Sequence, residues 1–211
     1  AKVLLFDEGI RSAELLLPGA VAASISMARI ERYPKTGGKP HITPATIHED
    51  LRCRDFTFNA LALSLNKASL GLLLDPNNGL ADLERKEVRA VHGYVFYDDP
   101  YRILRMVRFK TRMGCRLEER TQQQYENARM ENVERHIPAR RLFEELGHMA
   151  DESNPAEILQ ALEQEQLLTL FCRALAGPKL NLTGLSRLQK AKQLLPFGIE
   201  FRVNNLALFL Y

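Results

Sequence analysis

The apolar positions of this chain follow one rhythm up to about residue 97 and another beyond it. In the first stretch, short runs rich in aliphatic and branched residues alternate with turns: "KVLLF" (2–6), "SAELLL" (12–17), "VAASISM" (21–27), "LALSL" (61–65) and "GLLLD" (71–75). The turn signals between them are Pro18-Gly19, Gly37-Gly38, Pro44 and Pro76-Asn77-Asn78-Gly79, and runs of that length between such residues read as strands. Beyond residue 97 the spacing becomes helical and predicts helices over 99–113, 118–131, 139–152, 155–164 and 181–195. Gly114, Pro138, Asn154-Pro155 and Gly177-Pro178 punctuate them. The pattern predicts an α+β fold: a small mixed or antiparallel sheet domain over 1–97 followed by an all-helical domain over 98–211.

Two places break the apolar rhythm with polar groups. The stretch "EDLRCRDFTFNALALSLN" (49–66) sets Arg54, Asp55 and Asn59 before a strongly apolar run. One of these groups only donates, one only accepts and one does both, which suits a small polar ligand; it equally suits a capped helix with a solvated arginine. The second place is the helix predicted from residue 99. There Asp99 can accept from first-turn amides and Pro100 suits the first helical position. Ile103, Leu104, Met106 and Val107 cluster on one face, and Arg102, Arg105 and Arg108 fall on roughly the opposite one. Three arginines at that spacing form a winding stripe of planar donors. With Asp99 at its start, the face offers an acceptor followed by repeated donors, enough for a base and a phosphate chain.

Composition narrows the picture only a little. With 45% apolar and 26% charged residues, the 211-residue chain is ordinary for a soluble globular protein. It has no apolar run of membrane-spanning length and no signal-peptide pattern. Cys53, Cys115 and Cys172 are odd in number and widely spaced, which points to reduced thiols and a cytoplasmic location. Net charge is +3, yet residues 102–116 carry six basic residues and no acidic one. A local excess of that size attracts phosphate, although a solvated helix face has the same composition. Asp75, Asn77, Asn78 and Asp82 lack calcium-loop spacing and read as a turn. The five histidines are scattered, and "TGGKP" lacks phosphate-loop spacing and reads as a mobile surface loop.

Three segments in fixed order carry a resemblance: "EDLRCRDFTFNALALSL", "DPNNGLADLERKEVRAV" and "YDDPYRILRMVRFKTRMG". Together they resemble the class II tRNA nucleotidyltransferase (CCA-adding) and bacterial poly(A) polymerase family of the polymerase β superfamily. Arg54-Asp55-Phe56-Thr57 with Asn59 resembles that family's RRDFTxNA motif, and Asp98-Asp99-Pro100-Tyr101-Arg102 its EDxxR motif. "ARIERYPKTGGKP" resembles the segment leading into the first motif. The resemblance implies template-independent addition of C or A residues to RNA 3′ ends, either the tRNA CCA end or a poly(A) tail. It implies CTP, ATP and RNA as partners and Mg²⁺ as cofactor. By the same resemblance Arg54, Asp55, Asn59, Asp99, Arg102, Arg105 and Arg108 are the nucleotide-binding residues.

Departures from the family pattern change the expectation. The family's GGxVRDxLLG…DxD motif, whose aspartates bind metal, has no counterpart before "AKVLLF". Ser24 stands where a third carboxylate is usual, and Cys53 where the first arginine of RRDFT is usual. Phosphoryl transfer depends on metal positioning and charge neutralisation. The sequence therefore predicts no catalytic carboxylate and no metal ligand in this chain, which is expected to be inactive as it stands. A non-catalytic nucleotide- or RNA-binding module of the same ancestry is the alternative.

Overall fold

The computed structural model describes residues 1–9, 11–172 and 180–194. Three antiparallel strands open the chain: β1 (Lys2–Asp7), β2 (Ser12–Leu17) and β3 (Val21–Ser26), in the order β1-β2-β3. A two-stranded antiparallel pair follows, β4 (Arg29–Arg32) with β5 (His41–Pro44), and then α1 (Ile47–Arg52). Thr46 closes a capping box on α1, its hydroxyl accepting from the Glu49 amide while Glu49 accepts from the Thr46 amide. The sequence pattern did not separate β4 and β5 from the loop between them, because only four residues of each strand pair.

The "LALSL" and "GLLLD" runs form strands of two residues each, β6 (Ala62–Leu63) and β7 (Leu73–Leu74). "PNNGLADLE", expected as a turn, begins as one and continues into α2 (Gly79–Glu84). Asp75 starts that helix by accepting from the Gly79 amide at 2.7 Å and the Leu80 amide at 3.0 Å. Gly79 is required by space: a Cβ there would lie 2.2 Å from the Thr57 carbonyl oxygen. One step behind it, the buried Asp82 accepts from the Thr57 hydroxyl at 2.7 Å and from Arg89 Nε at 3.1 Å. The turn after Arg54-Asp55 is thus clamped from below.

After β8 (Glu87–Val88) and the short α3 (Val95–Asp98), the helices appear where the periodicity put them. They are α4 (Tyr101–Met113), α5 (Glu119–Met130), α6 (Ala139–Ala150), α7 (Pro155–Gln164) and α8 (Leu182–Gln193). A two-residue strand, β9 (Arg116–Leu117), pairs in parallel with β8. Residues 173–179 and 195–211 of the expected helical domain, with the last residue of its final helix, lie outside those described.

The core gathers around α4, whose Ile103, Leu104, Met106 and Val107 are all buried. It takes Phe56, Phe58 and Val88 from one side and Leu146, Met149, Ile158 and Leu162 from the other. Phe56, Phe58, Phe96 and Phe109 meet in stacked, tilted and edge-on pairs with centroids 5.4–6.5 Å apart. No helix among the described residues is long and apolar enough to cross a membrane.

Candidate functional site

The Arg54-Asp55 motif and the start of α4 come together at one cleft of about 1080 Å³. Its walls include the end of β1, β4, the loop before β5, α1 with the turn after it, the first three turns of α4, and α6. Arg54, Asp55, Asn59, Asp99, Arg102 and Arg105 all line it. Arg108 does not. It points behind the cleft, where Nε reaches Glu145 at 2.6 Å and Nη1 reaches Glu152 at 2.8 Å.

Each lining residue has a definite partner. Asp55 is buried; Oδ2 accepts from Arg105 Nε at 2.7 Å, and Oδ1 from the Phe56 amide at 2.8 Å and Asn59 Nδ2 at 3.4 Å. Asp50, also buried, accepts from the Arg29 amide at 2.9 Å and from Arg54 Nε at 2.7 Å. That leaves the Arg54 side chain half exposed at the rim. Arg102 is 7% exposed; Nη2 donates to the Cys53 carbonyl at 3.1 Å, while Nη1 is buried without a partner. Asp99 accepts from the Tyr101 amide at 3.3 Å through Oδ1, the cap that the sequence predicts, and from Arg141 at 3.0 Å through Oδ2. The expected stripe of repeated donors is therefore corrected: Arg105 is paired with Asp55 and Arg108 with Glu145 and Glu152, carboxylates from distant parts of the chain, while the buried Arg102 is held by the Cys53 carbonyl.

Residues that the motifs did not single out complete the cleft. On β4, Arg29 Nε donates to Glu31 at 2.7 Å, and the Tyr33 hydroxyl donates to the other Glu31 oxygen at 2.8 Å. Their alternation in "ARIERY" is a strand signal that could have marked one face. Burial works to raise the Glu31 carboxyl, but the bonds from Arg29 and Tyr33, with the charges of Arg29 and Arg102, outweigh it and lower the pKa. The Tyr33 hydroxyl is pushed above the usual phenol range by burial and by the charges of Glu31 and Asp99. His92 is lowered to about 4 by burial and by the charge of Arg102. The "TGGKP" loop is docked: Gly37 has φ of +65°, and a Cβ there would lie 2.5 Å from the His136 carbonyl oxygen.

Six cationic and six carboxylate side chains line the cleft. Against that balance, N–H groups to spare remain on Arg102 Nη1 and on Arg54 at the rim. Magnesium finds no donor set: among the described residues no group of three or more His, Cys, Asp or Glu could hold a metal ion. Glu31 and Asp50 are committed to arginines, and Ser24 lies on exposed β3 opposite Glu14.

Residues 11–89 match the Poly A polymerase head domain. The chain is 36% identical over 150 residues to an A-adding tRNA nucleotidyltransferase of Aquifex aeolicus, which is 71% of this chain and 18% of that protein. Among solved structures, a tRNA-processing enzyme in apo form I superposes with a TM-score of 0.77 at 30% identity, covering 99% of this chain and 53% of the other. A tRNA nucleotidyltransferase complexed with a primer tRNA and an incoming ATP analog superposes with a TM-score of 0.75 at 31% identity, covering 99% and 58%. The chain thus spans less than two thirds of each of these proteins.

Proposed function

Because the chain belongs to the class II tRNA nucleotidyltransferase and bacterial poly(A) polymerase family, we propose that its cleft binds CTP or ATP beside an RNA 3′ end, in a protein that extends that end with C or A residues. One observation carries this reading. Six of the seven residues that the motifs singled out line a single cleft, and within it the nearly buried Arg102 keeps an unpartnered Nη1. A buried guanidinium nitrogen with no acceptor costs free energy unless a ligand supplies one. The division into a head over 1–97 and a helical neck and body over 98–211, the tRNA 3′ end as acceptor and a cytoplasmic site of action belong to this reading.

The chemistry of the base edge supports CTP and ATP. Cytosine and adenine each present an amino donor beside a ring-nitrogen acceptor, which matches a carboxylate beside a guanidinium, Asp99 beside Arg102. Uracil and guanine present a carbonyl beside a ring N–H, so like faces like. The absence of a metal-donor group among the described residues favours a second reading for the 211-residue chain taken by itself: it binds nucleotide and does not transfer it.

Calorimetric titration with CTP, ATP, UTP and GTP, beside an incorporation assay on tRNA with magnesium, tests both readings. The expected result is CTP and ATP bound in preference to UTP and GTP, with no incorporation. Absence of binding by all four nucleotides would remove the first reading. Robust incorporation by this chain alone would remove the second.

A further inference from the structure

Cys53 is held at both of its peptide groups. It caps the C-terminus of α1, donating its amide to the Asp50 carbonyl at 2.9 Å, and its own carbonyl accepts from Arg102 Nη2 at 3.1 Å. The residue is half-buried, outside any disulfide, and lines the cleft together with Arg54 and Arg102. Cys115 is buried in the core and Cys172 is exposed, and neither lines the cleft. A half-buried thiol at a helix end is by itself a small filler, and its neighbour makes it more than that. Arg102 is 7% exposed; it spends Nη2 on the Cys53 carbonyl and leaves Nη1 with no acceptor among the described residues. A buried N–H of that kind calls for an oxygen from outside the chain. Both nitrogens belong to one planar fork, so a group attached through Cys53 Sγ starts beside the unfilled donor.

We propose that Cys53 is a thiol-modification site that takes a carboxylate-bearing low-molecular-weight disulfide, and that the adduct shuts the cleft to nucleotide. In the exchange the Cys53 thiol gives up its proton and Sγ attacks one sulfur of the disulfide. A new S–S bond forms as the old one breaks, and the departing thiolate takes the proton. Cys53 is oxidised as half of the disulfide is reduced, and an excess of free thiol reverses the step. The attached carboxylate accepts from Arg102 Nη1, and the adduct lies next to Arg54, so it occupies the two places where the cleft has N–H groups to spare. Exclusion of nucleotide rests on the reading that CTP or ATP occupies this cleft; the modification itself does not.

The experiment uses the 211-residue chain with Cys172→Ser, which removes the exposed thiol. It is equilibrated in redox buffers of oxidised and reduced glutathione, or of cystamine and cysteamine, which bring an ammonium in place of the carboxylates. Mass spectrometry of the acid-quenched digest gives the mixed-disulfide equilibrium constant at Cys53 with each reagent, referred to that of 2-mercaptoethanol. The glutathione adduct should be favoured over the cysteamine adduct by roughly tenfold, the scale of one charge-assisted hydrogen bond. In Arg102→Met that preference should vanish. Calorimetry after glutathione treatment should show CTP bound roughly tenfold more weakly, through loss of the same donor, with recovery on adding dithiothreitol. Cys53→Ser, whatever its starting affinity, should not respond to the treatment. No adduct at Cys53, or equal constants for the two reagents, overturns the modification site. An adduct that leaves CTP affinity unchanged overturns the closing of the cleft. If the untreated chain binds no CTP, the proposed function falls, while the ratio of the two reagents still decides the modification site. Should Arg102→Met fail to fold, the wild-type ratio decides: tenfold upholds the site and equality overturns it.

Discussion

Asp55 serves three donors at once, the Phe56 amide, Asn59 Nδ2 and the Arg105 guanidinium, from a buried position. In Asp55→Asn, one side-chain atom that accepted becomes a donor facing another donor. The expected loss is about 1–3 kcal/mol of stability by urea denaturation, with weaker CTP binding because Arg105 is released. A loss below about 0.5 kcal/mol, the size of an ordinary surface change, would mean that this carboxylate organises nothing. His92 gives a pH signature. Its folded pKa of about 4 lies below the ordinary 6.5, so between those values the unfolded chain binds the proton first. Stability is therefore fully present above pH 6.5 and falls as pH drops toward 4. Asp98, 3.9 Å from His92, is shifted upward by its own burial and works in the opposite sense at the acid end. Since the His92 side chain is 31% exposed, solvent reduces the effect to about 1 kcal/mol. His92→Asn should flatten the melting profile between pH 7 and 5; an identical profile would assign the acid loss to other groups.

At the scale of elements, α4 and α6 are joined by a buried chain: Tyr101 hydroxyl to Glu145, Glu145 to Arg108, Arg108 to Glu152. Removing one member leaves charge stranded in the interior. Glu145→Ala should cost about 3–5 kcal/mol, whereas the double variant Arg108→Met, Glu145→Met should recover most of that, because it removes both fully buried charges while Glu152 keeps Arg112 at 3.5 Å. Equilibrium denaturation of both variants measures it, and a double variant as unstable as the single one would show that packing, not charge, holds the two helices. The helices themselves were legible from spacing: α4 through α7 stand within two residues of the expected bounds. What spacing could not supply was the partner of each polar face. Arg102, Arg105 and Arg108 read as one stripe of donors because their partners enter from far along the chain, the Cys53 carbonyl and Asp55 from some fifty positions earlier and Glu145 and Glu152 from some forty positions later.

Across the whole molecule, two surfaces have consequences. RNA backbone binding should be salt-dependent, with each phosphate contact contributing about 0.7 to the log–log slope for a single strand. Arg54→Ala and Lys39→Ala should each flatten the slope by about that much, since both residues line the cleft and the Arg54 side chain is half exposed. Arg108→Ala should leave the slope unchanged, its guanidinium being spent on two carboxylates. Filter binding across a salt series reads both. The second surface is one face of the β1–β3 sheet, where the register sets Val3, Phe6, Ala13, Leu15, Ala23 and Ile25 together. Val3, Phe6 and Ile25 are 59–64% exposed, so the isolated chain should bind an apolar dye or self-associate. Phe6→Glu with Ile25→Lys should suppress that without lowering the melting temperature; unchanged dye binding would place the apolar surface elsewhere.

The amino-acid sequence alone determined the α+β class, the strands β1 to β3, the run of helices after residue 97 and the motif residues that line the cleft. These are readable because strand and helix periods, turn residues and caps act over a few neighbouring positions. Tertiary structure decided which charges remain available. Asp50, Glu31 and Arg141 became part of the cleft, and Arg108 left it, through partners two to some forty residues away. Burial makes that choice, because a charge removed from water needs a partner in three dimensions, and local spacing along the chain carries no record of where that partner stands.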